Sequence, residues 1–319
     1  MSAAAVPFGA PVQSGARVPS GAPVPSGARE PFGARLAAAM DAHGPLCVGI
    51  DPHPGLLAAW GLPDDASGLR EFARRVMDAV GGRVAAVKPQ SAMFERHGSA
   101  GVAVLEEVVA AGRATGTIVI VDAKRGDIGS TMDAYADAYL RDSSPLAGDA
   151  LTVSPFLGFG SLAPAIDAAR ATGRGLFVLA LTSNPEGPSV QHARPRALTA
   201  RHGLDSVAGV LADEVGRLNA AELAGTGGVL GSLGLVVGAT IGDAALRLGI
   251  DLAAVRGPLL APGVGAQGAG AAELRDVFGD ARRAVLAASS RSVLAAGPDV
   301  GQLRAAARAA ADVATAALR

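Results

Sequence analysis

"TIVIVDAKRGDIGST", residues 117–131, begins as a strand and ends in a crowd of charge. Ile118 to Val121 are four β-branched residues in a row, the pattern of a strand buried on both faces. Asp122, Lys124 and Asp127 then follow within six positions. Charges beside a core cost free energy unless they pair or do chemistry. The lysines sharpen the point. Of 28 Lys plus Arg, only Lys88 and Lys124 are lysine, so arginine serves wherever a generic cation suffices. Asp122 and Lys124 are two apart, and strand alternation turns both to one side, which in a barrel is the interior. A lysine beside a carboxylate stays protonated. It is then a proton donor and not a Schiff-base nucleophile.

Outward from this strand, similar apolar runs recur. They are "LCVGID" (46–51), "AAVKPQ" (85–90), "LTVSP" (151–155), "GLFVLALTS" (175–183), "LGLVVGAT" (233–240), "PLLAPG" (258–263) and "RAVLAASS" (283–290). Ala-rich stretches with helical spacing lie between them, such as Leu69-Phe72-Val76-Val80, and a last helix is expected over about 302–318. Eight strands alternating with helices predict a single (β/α)₈ barrel spanning 32–319. An open doubly wound sheet is the rival, but no G-x-G-x-x-G follows the first strand. The long connection 184–232 is expected to hold an extra helix over about 204–223.

Composition narrows the classes. Half of the 319 residues are hydrophobic but only 3% are aromatic, so Ala, Val, Leu and Ile must build the core. A net charge of −1 and the scarcity of aromatics argue against nucleic-acid binding. The single Cys47 excludes an internal disulfide. The uncharged stretch 223–242 contains seven glycines, which argues against a membrane span. No secretory signal is visible, and a cytoplasmic location is expected. In residues 7–35, Gly9, Gly15, Gly21, Gly27 and Gly33 recur every six positions, each followed by Ala. Such Pro/Gly/Ser-rich sequence buries little, and residues 1–31 are read as a disordered extension.

Chemistry in a barrel collects at the carboxyl ends of the strands. Asp51, Lys88, Asp122 with Lys124, Thr182-Ser183-Asn184, and Arg291 all stand there. The glycine-rich "APGVGAQGAG" with Gln267, followed by Arg291 on the next strand end, reads as a phosphate site. Magnesium held by Asp51, His53, Asp122 and Asp127 is the competing reading. An ammonium at Lys124 would repel that cation, and the histidines lack paired ligand spacing. Asp127, in the loop before the next helix, reads from its position alone as a cap or as a site residue.

"DAKRGDIGST" resembles the D-x-K-x-x-D signature of the orotidine 5′-phosphate decarboxylase family. "GIDPHP", "VKPQ", "LTSNP", "VVGAT", "APGVGAQG" and "SSRS" follow in that family's order, with the detail of its larger bacterial branch. The resemblance implies a cofactor-free, metal-free homodimeric barrel that converts orotidine 5′-monophosphate to UMP and CO₂. It implies that Asp122 sits beside the departing carboxylate and that Lys124 protonates C6. Asp127 would reach into the neighbouring subunit's site, with Thr131 beside it. Asp51 and Lys88 would hold ribose hydroxyls, Ser183 and Gln267 the pyrimidine, and Arg291 the phosphate. Related barrels acting on sugar phosphates with magnesium, and a non-catalytic phosphate-binding barrel, are the alternatives.

Overall fold

The computed structural model describes residues 29–194, 206–264 and 270–319. Eight parallel strands close into a barrel in sequence order. They are β1 (Leu46–Ile50), β2 (Ala86–Pro89), β3 (Ile118–Arg125), β4 (Ala150–Val153), β5 (Gly175–Leu181), β6 (Leu233–Val237), β7 (Leu259–Pro262) and β8 (Val285–Ser289). Each lies in an apolar run singled out in the sequence. A single (β/α)₈ barrel is therefore the architecture.

The strands are apolar up to their carboxyl ends because both their faces are covered. Val119, Val121, Leu151 and Val178 face the surrounding helices, in one continuous core with Phe72, Val108 and Leu303. Ile118, Ile120, Ala86, Ala150 and Phe177 face inward. The inner set is small because few large side chains fit inside eight strands. The last helix runs Val300–Leu318, two residues earlier than expected, because the Asp299 carboxylate caps the Gln302 amide at 2.8 Å. In the long connection the extra helix is Val207–Thr226, capped by Ser206. Residues 195–205 of that connection lie outside the described residues, as does segment 1–28 of the expected extension.

The first helix, Phe32–His43, closes the amino-terminal end of the barrel. Phe32 is fully buried and meets the Phe177 ring edge-on at 5.9 Å. Leu36 and Met40 join the same inner cluster. Polar ties fix the helix at its rim. The Arg35 guanidinium pairs with Asp149 at 2.5 Å and donates to the Gly173 carbonyl, and Asp149 also accepts the Val119 amide. Contacts start slightly before Phe32: Arg29 lies 3.8 Å from Asp149, and the Glu30 carbonyl accepts from Arg35.

This seal predicts a contrast. Removing residues 2–28, whose composition buries little, should leave the melting temperature within about 2 °C of the parent. Phe32→Ala should cost about 3–5 kcal/mol in a denaturant titration. A large loss of melting temperature from the deletion would show that the segment packs on the barrel.

Candidate active site

Register brings the polar residues together. Ile120 pairs with Ala150 and Val121 with Leu151, so Asp122 stands beside Thr152 at the carboxyl end of the barrel. On the other side, Gln90 bridges to Asp122. Asp122 continues the inward-facing series of Ile118 and Ile120, Lys88 that of Ala86, and Thr152 that of Ala150. The inner layer thus changes from apolar to polar within one step along three adjacent strands.

Asp122 is the hub, at 5% exposure. Its Oδ2 accepts from Lys88 Nζ at 2.5 Å and Gln90 Nε2 at 3.1 Å. Its Oδ1 accepts from Lys124 Nζ at 2.6 Å and Thr152 Oγ1 at 2.9 Å. Burial alone would raise the carboxyl's pKa. The two ammonium groups outweigh it and hold the group down at about 2. The stability from this ionised form is present above the ordinary carboxylate range and is lost as pH falls towards about 2. Burial likewise pushes the Lys88 ammonium towards neutrality, but Asp122 and Asp51 more than offset it, so Lys88 stays charged. Cys47, on the strand beside Lys88, has its thiol pushed up to about 12, chiefly by burial. It is not a nucleophile.

Lys124 is placed by a break in β3. Between Val121 and Arg125 that strand advances four residues while β4 advances two, from Leu151 to Val153. Such bulges re-aim side chains beside active sites. Lys124 sits in this one with φ +48°, a left-handed conformation that costs a non-glycine residue about 1–3 kcal/mol. Asp122 and Lys124 do meet, as the sequence implied. They meet through this bulge and not through simple alternation. Lys88 is buried, whereas the Lys124 side chain is 44% exposed, with its ammonium at the mouth of the barrel. Arg125 anchors the far end of the bulge. It pairs with Glu95, donates to the Tyr139 hydroxyl at 3.0 Å and lies over the Tyr135 ring.

Next to this cluster, the ends of β1, β7 and β8 line a cavity of about 400 Å³ that includes Asp51, Lys88, Gly263, Ser290 and Arg291. Asp51 lines this cavity, and its Oδ1 is buried with no hydrogen-bond partner, which calls for an explanation. Gly49 is required here, since a Cβ would fall 2.7 Å from Ser290 Cβ. Arg291 opens a short helix after β8 and is exposed. Gln267 lies outside the described residues. Ser183, just past β5, is exposed on the same end of the barrel. Among the described residues no group of three or more His, Cys, Asp or Glu is placed to hold a metal. No described helix is long and apolar enough to cross a membrane.

Asp127 stands apart from the cluster. Its carboxylate accepts the Ile128 amide at 2.8 Å, just before helix Gly129–Leu140, and Thr131 is exposed on that helix's first turn. Ile128 is 63% exposed, and Phe156 and Leu157 after β4 are 77% and 53% exposed. Two contributors to the hub escaped the sequence reading, Gln90 and Thr152. Both had a signal: Gln90 is two residues past Lys88, and Thr152 is the lone polar residue of "ALTV".

Comparison with known proteins gives one answer. Residues 44–306 match the model of the orotidine 5′-phosphate decarboxylase / HUMPS family. An orotidine 5′-phosphate decarboxylase of Salinispora arenicola is 62% identical over 273 residues, 86% of this chain and 93% of that protein. One from Streptomyces coelicolor is 57% identical over 274 residues, again 86% and 93% of the two chains. Among solved structures, the OMP decarboxylase of Leishmania donovani is 29% identical, with a TM-score of 0.67 over 88% of this chain and 96% of that one. The chain belongs to the orotidine 5′-phosphate decarboxylase / HUMPS family.

Proposed function

We propose that the chain decarboxylates orotidine 5′-monophosphate to UMP and CO₂, in the synthesis of pyrimidine nucleotides, with Lys124 as the proton donor to C6. The observation that carries this reading is the Lys124 ammonium held 2.6 Å from a buried, ionised Asp122 at the mouth of the barrel. Losing CO₂ leaves a pair of electrons on ring carbon C6 with little delocalisation. A fixed ammonium beside that carbon stabilises the charge as it develops and then transfers a proton to it. Arginine could not serve, because its pKa is too high for ready donation. Lys88, which with Asp51 is assigned to the ribose hydroxyls, also helps to keep Asp122 ionised from the buried side. Asp51, with its unpaired oxygen, suits a ribose hydroxyl, and Arg291 with the Gly263 turn suits the phosphate. Gln267 and Ser183 are assigned to the pyrimidine. All of this needs neither a metal nor a cofactor.

In this reading the active unit is a homodimer in the cytoplasm. Asp127 of the partner subunit, followed by Thr131 of the partner subunit, completes each site, and the exposed Ile128, Phe156 and Leu157 lie at the contact. Within its own chain the Asp127 carboxylate accepts the adjacent Ile128 amide and makes no ion pair with Lys124, which supports this arrangement. A second carboxylate beside the half-exposed ammonium would hold it charged from the outer side as Asp122 does from the inner.

Three outcomes test the proposal. UMP formation should persist in EDTA; loss of activity that magnesium restores would point instead to a metal-dependent sugar-phosphate enzyme. Lys124→Ala should abolish turnover while UMP binding stays measurable by calorimetry, and retention of more than a few per cent of activity would remove the proton-donor role. Finally, Asp127→Ala and Lys124→Ala chains, each nearly inactive, should regain activity when mixed. One site of each heterodimer has lost both residues and the other keeps them, so activity should reach about half per heterodimer and about one quarter in a fully exchanged equal mixture. Confirmed subunit exchange without recovery would place Asp127 in its own subunit's site.

A further inference from the structure

Thr152 is the one polar residue of β4 and is 1% exposed. A hydroxyl so buried is unfavourable unless its donor and acceptor are both used. Here both are used, and both on the bulge of β3. Thr152 Oγ1 accepts the Lys124 backbone amide at 2.9 Å. The same hydroxyl donates to Asp122 Oδ1, the oxygen that also accepts from Lys124 Nζ. A ring closes: Lys124 amide to hydroxyl, hydroxyl to carboxylate, carboxylate to Lys124 ammonium. Packing alone does not call for a hydroxyl at this place, since valine has the same shape and suits a strand equally well.

We propose that Thr152 is a positioning residue, whose hydroxyl holds Lys124 in its left-handed bulge and fixes the carboxylate oxygen that aims the Lys124 ammonium. The bulge removes the ordinary ladder partner of the Lys124 amide, and Thr152 supplies a replacement. Past it the ladder resumes, where the Ser154 amide donates to the Arg125 carbonyl at 2.8 Å. Without the hydroxyl, the amide loses its partner, and the Arg125 anchor alone holds the bulge against relaxation of φ towards ordinary strand values. The ammonium would then swing with its backbone. Thr152 touches neither the cavity nor, in this reading, the substrate, so its effect should fall on turnover and not on binding.

The kinetic part of this inference rests on the proposed decarboxylase activity; the geometric part does not. Thr152→Val and Thr152→Ser should be compared. The valine chain should lose at least about ten-fold in kcat with KM and UMP affinity within about three-fold of the parent. The serine chain should stay within about three-fold in kcat, because it keeps the hydroxyl. Ligand-free crystal structures should show Lys124 away from positive φ and its Nζ beyond hydrogen-bond distance of Oδ1 in the valine chain alone. A valine chain with parental kcat, or a serine chain as impaired as valine, would overturn the inference. So would a valine structure with Lys124 unmoved. If the valine chain is too unstable to assay, the same comparison is made between serine and alanine at Thr152, with the same outcomes deciding. If the parent itself forms no UMP, the decarboxylase reading fails and the crystal structures still decide the positioning role.

Discussion

Everything at the mouth of this barrel depends on one almost fully buried carboxylate. Asp122 meets two ammonium groups, a side-chain amide and a hydroxyl, and all four donors come from adjacent strands or from its own. A buried carboxylate left unpaired would simply protonate, and one paired to a single lysine would neutralise it. With two lysines on one carboxylate, Asp122 stays ionised while an ammonium stands at the point where the proposed reaction develops negative charge. One lysine, Lys88, is buried and borders the cavity beside Asp51, and the other, Lys124, is half-exposed at the mouth of the barrel. Both lysines hold Asp122 ionised, and under the proposed reaction the half-exposed one is the one that meets substrate.

The fold was legible because a closed parallel sheet leaves a strong periodic trace. Each of the eight apolar runs became a strand, since strands covered on both faces must be built mainly from apolar residues. Boundaries were less legible: caps such as Asp299 and Ser206 set them by single hydrogen bonds that hydrophobic patterns do not register. At the site, the restriction of lysine to positions 88 and 124 pointed to both ammonium groups. That they share one carboxylate was hidden, because it follows from register between strands more than thirty residues apart. The bulge was hidden too. Nothing in "VDAKRGD" announces that Lys124 takes a glycine-like conformation, since that depends on Thr152 of the next strand.

Asp127 illustrates a different boundary of reading from one chain. Its own backbone gives it a modest local partner, the Ile128 amide, and the chain alone offers no reason for a carboxylate there. Its neighbours carry the clue: three large apolar side chains stand in solvent at the ends of β3 and β4. Under the proposed dimer, those side chains and that carboxylate share one cause. Assembly then supplies an electrostatic element that the barrel omits, and the isolated chain lacks part of its site.

The first helix imposes an order on how the molecule is made. Phe32, Leu36 and Met40 emerge earliest of the core residues, yet they bury themselves against Phe177, Leu260 and Leu286, from the fifth, seventh and eighth strands. The same cluster includes Cys47, Ala86, Ile118 and Ala150 from the first four strands, so the floor under this helix is complete only when β8 arrives. β1 has the same requirement, since its second neighbour is β8. The barrel and its seal are therefore completed together, by the last strand to arrive.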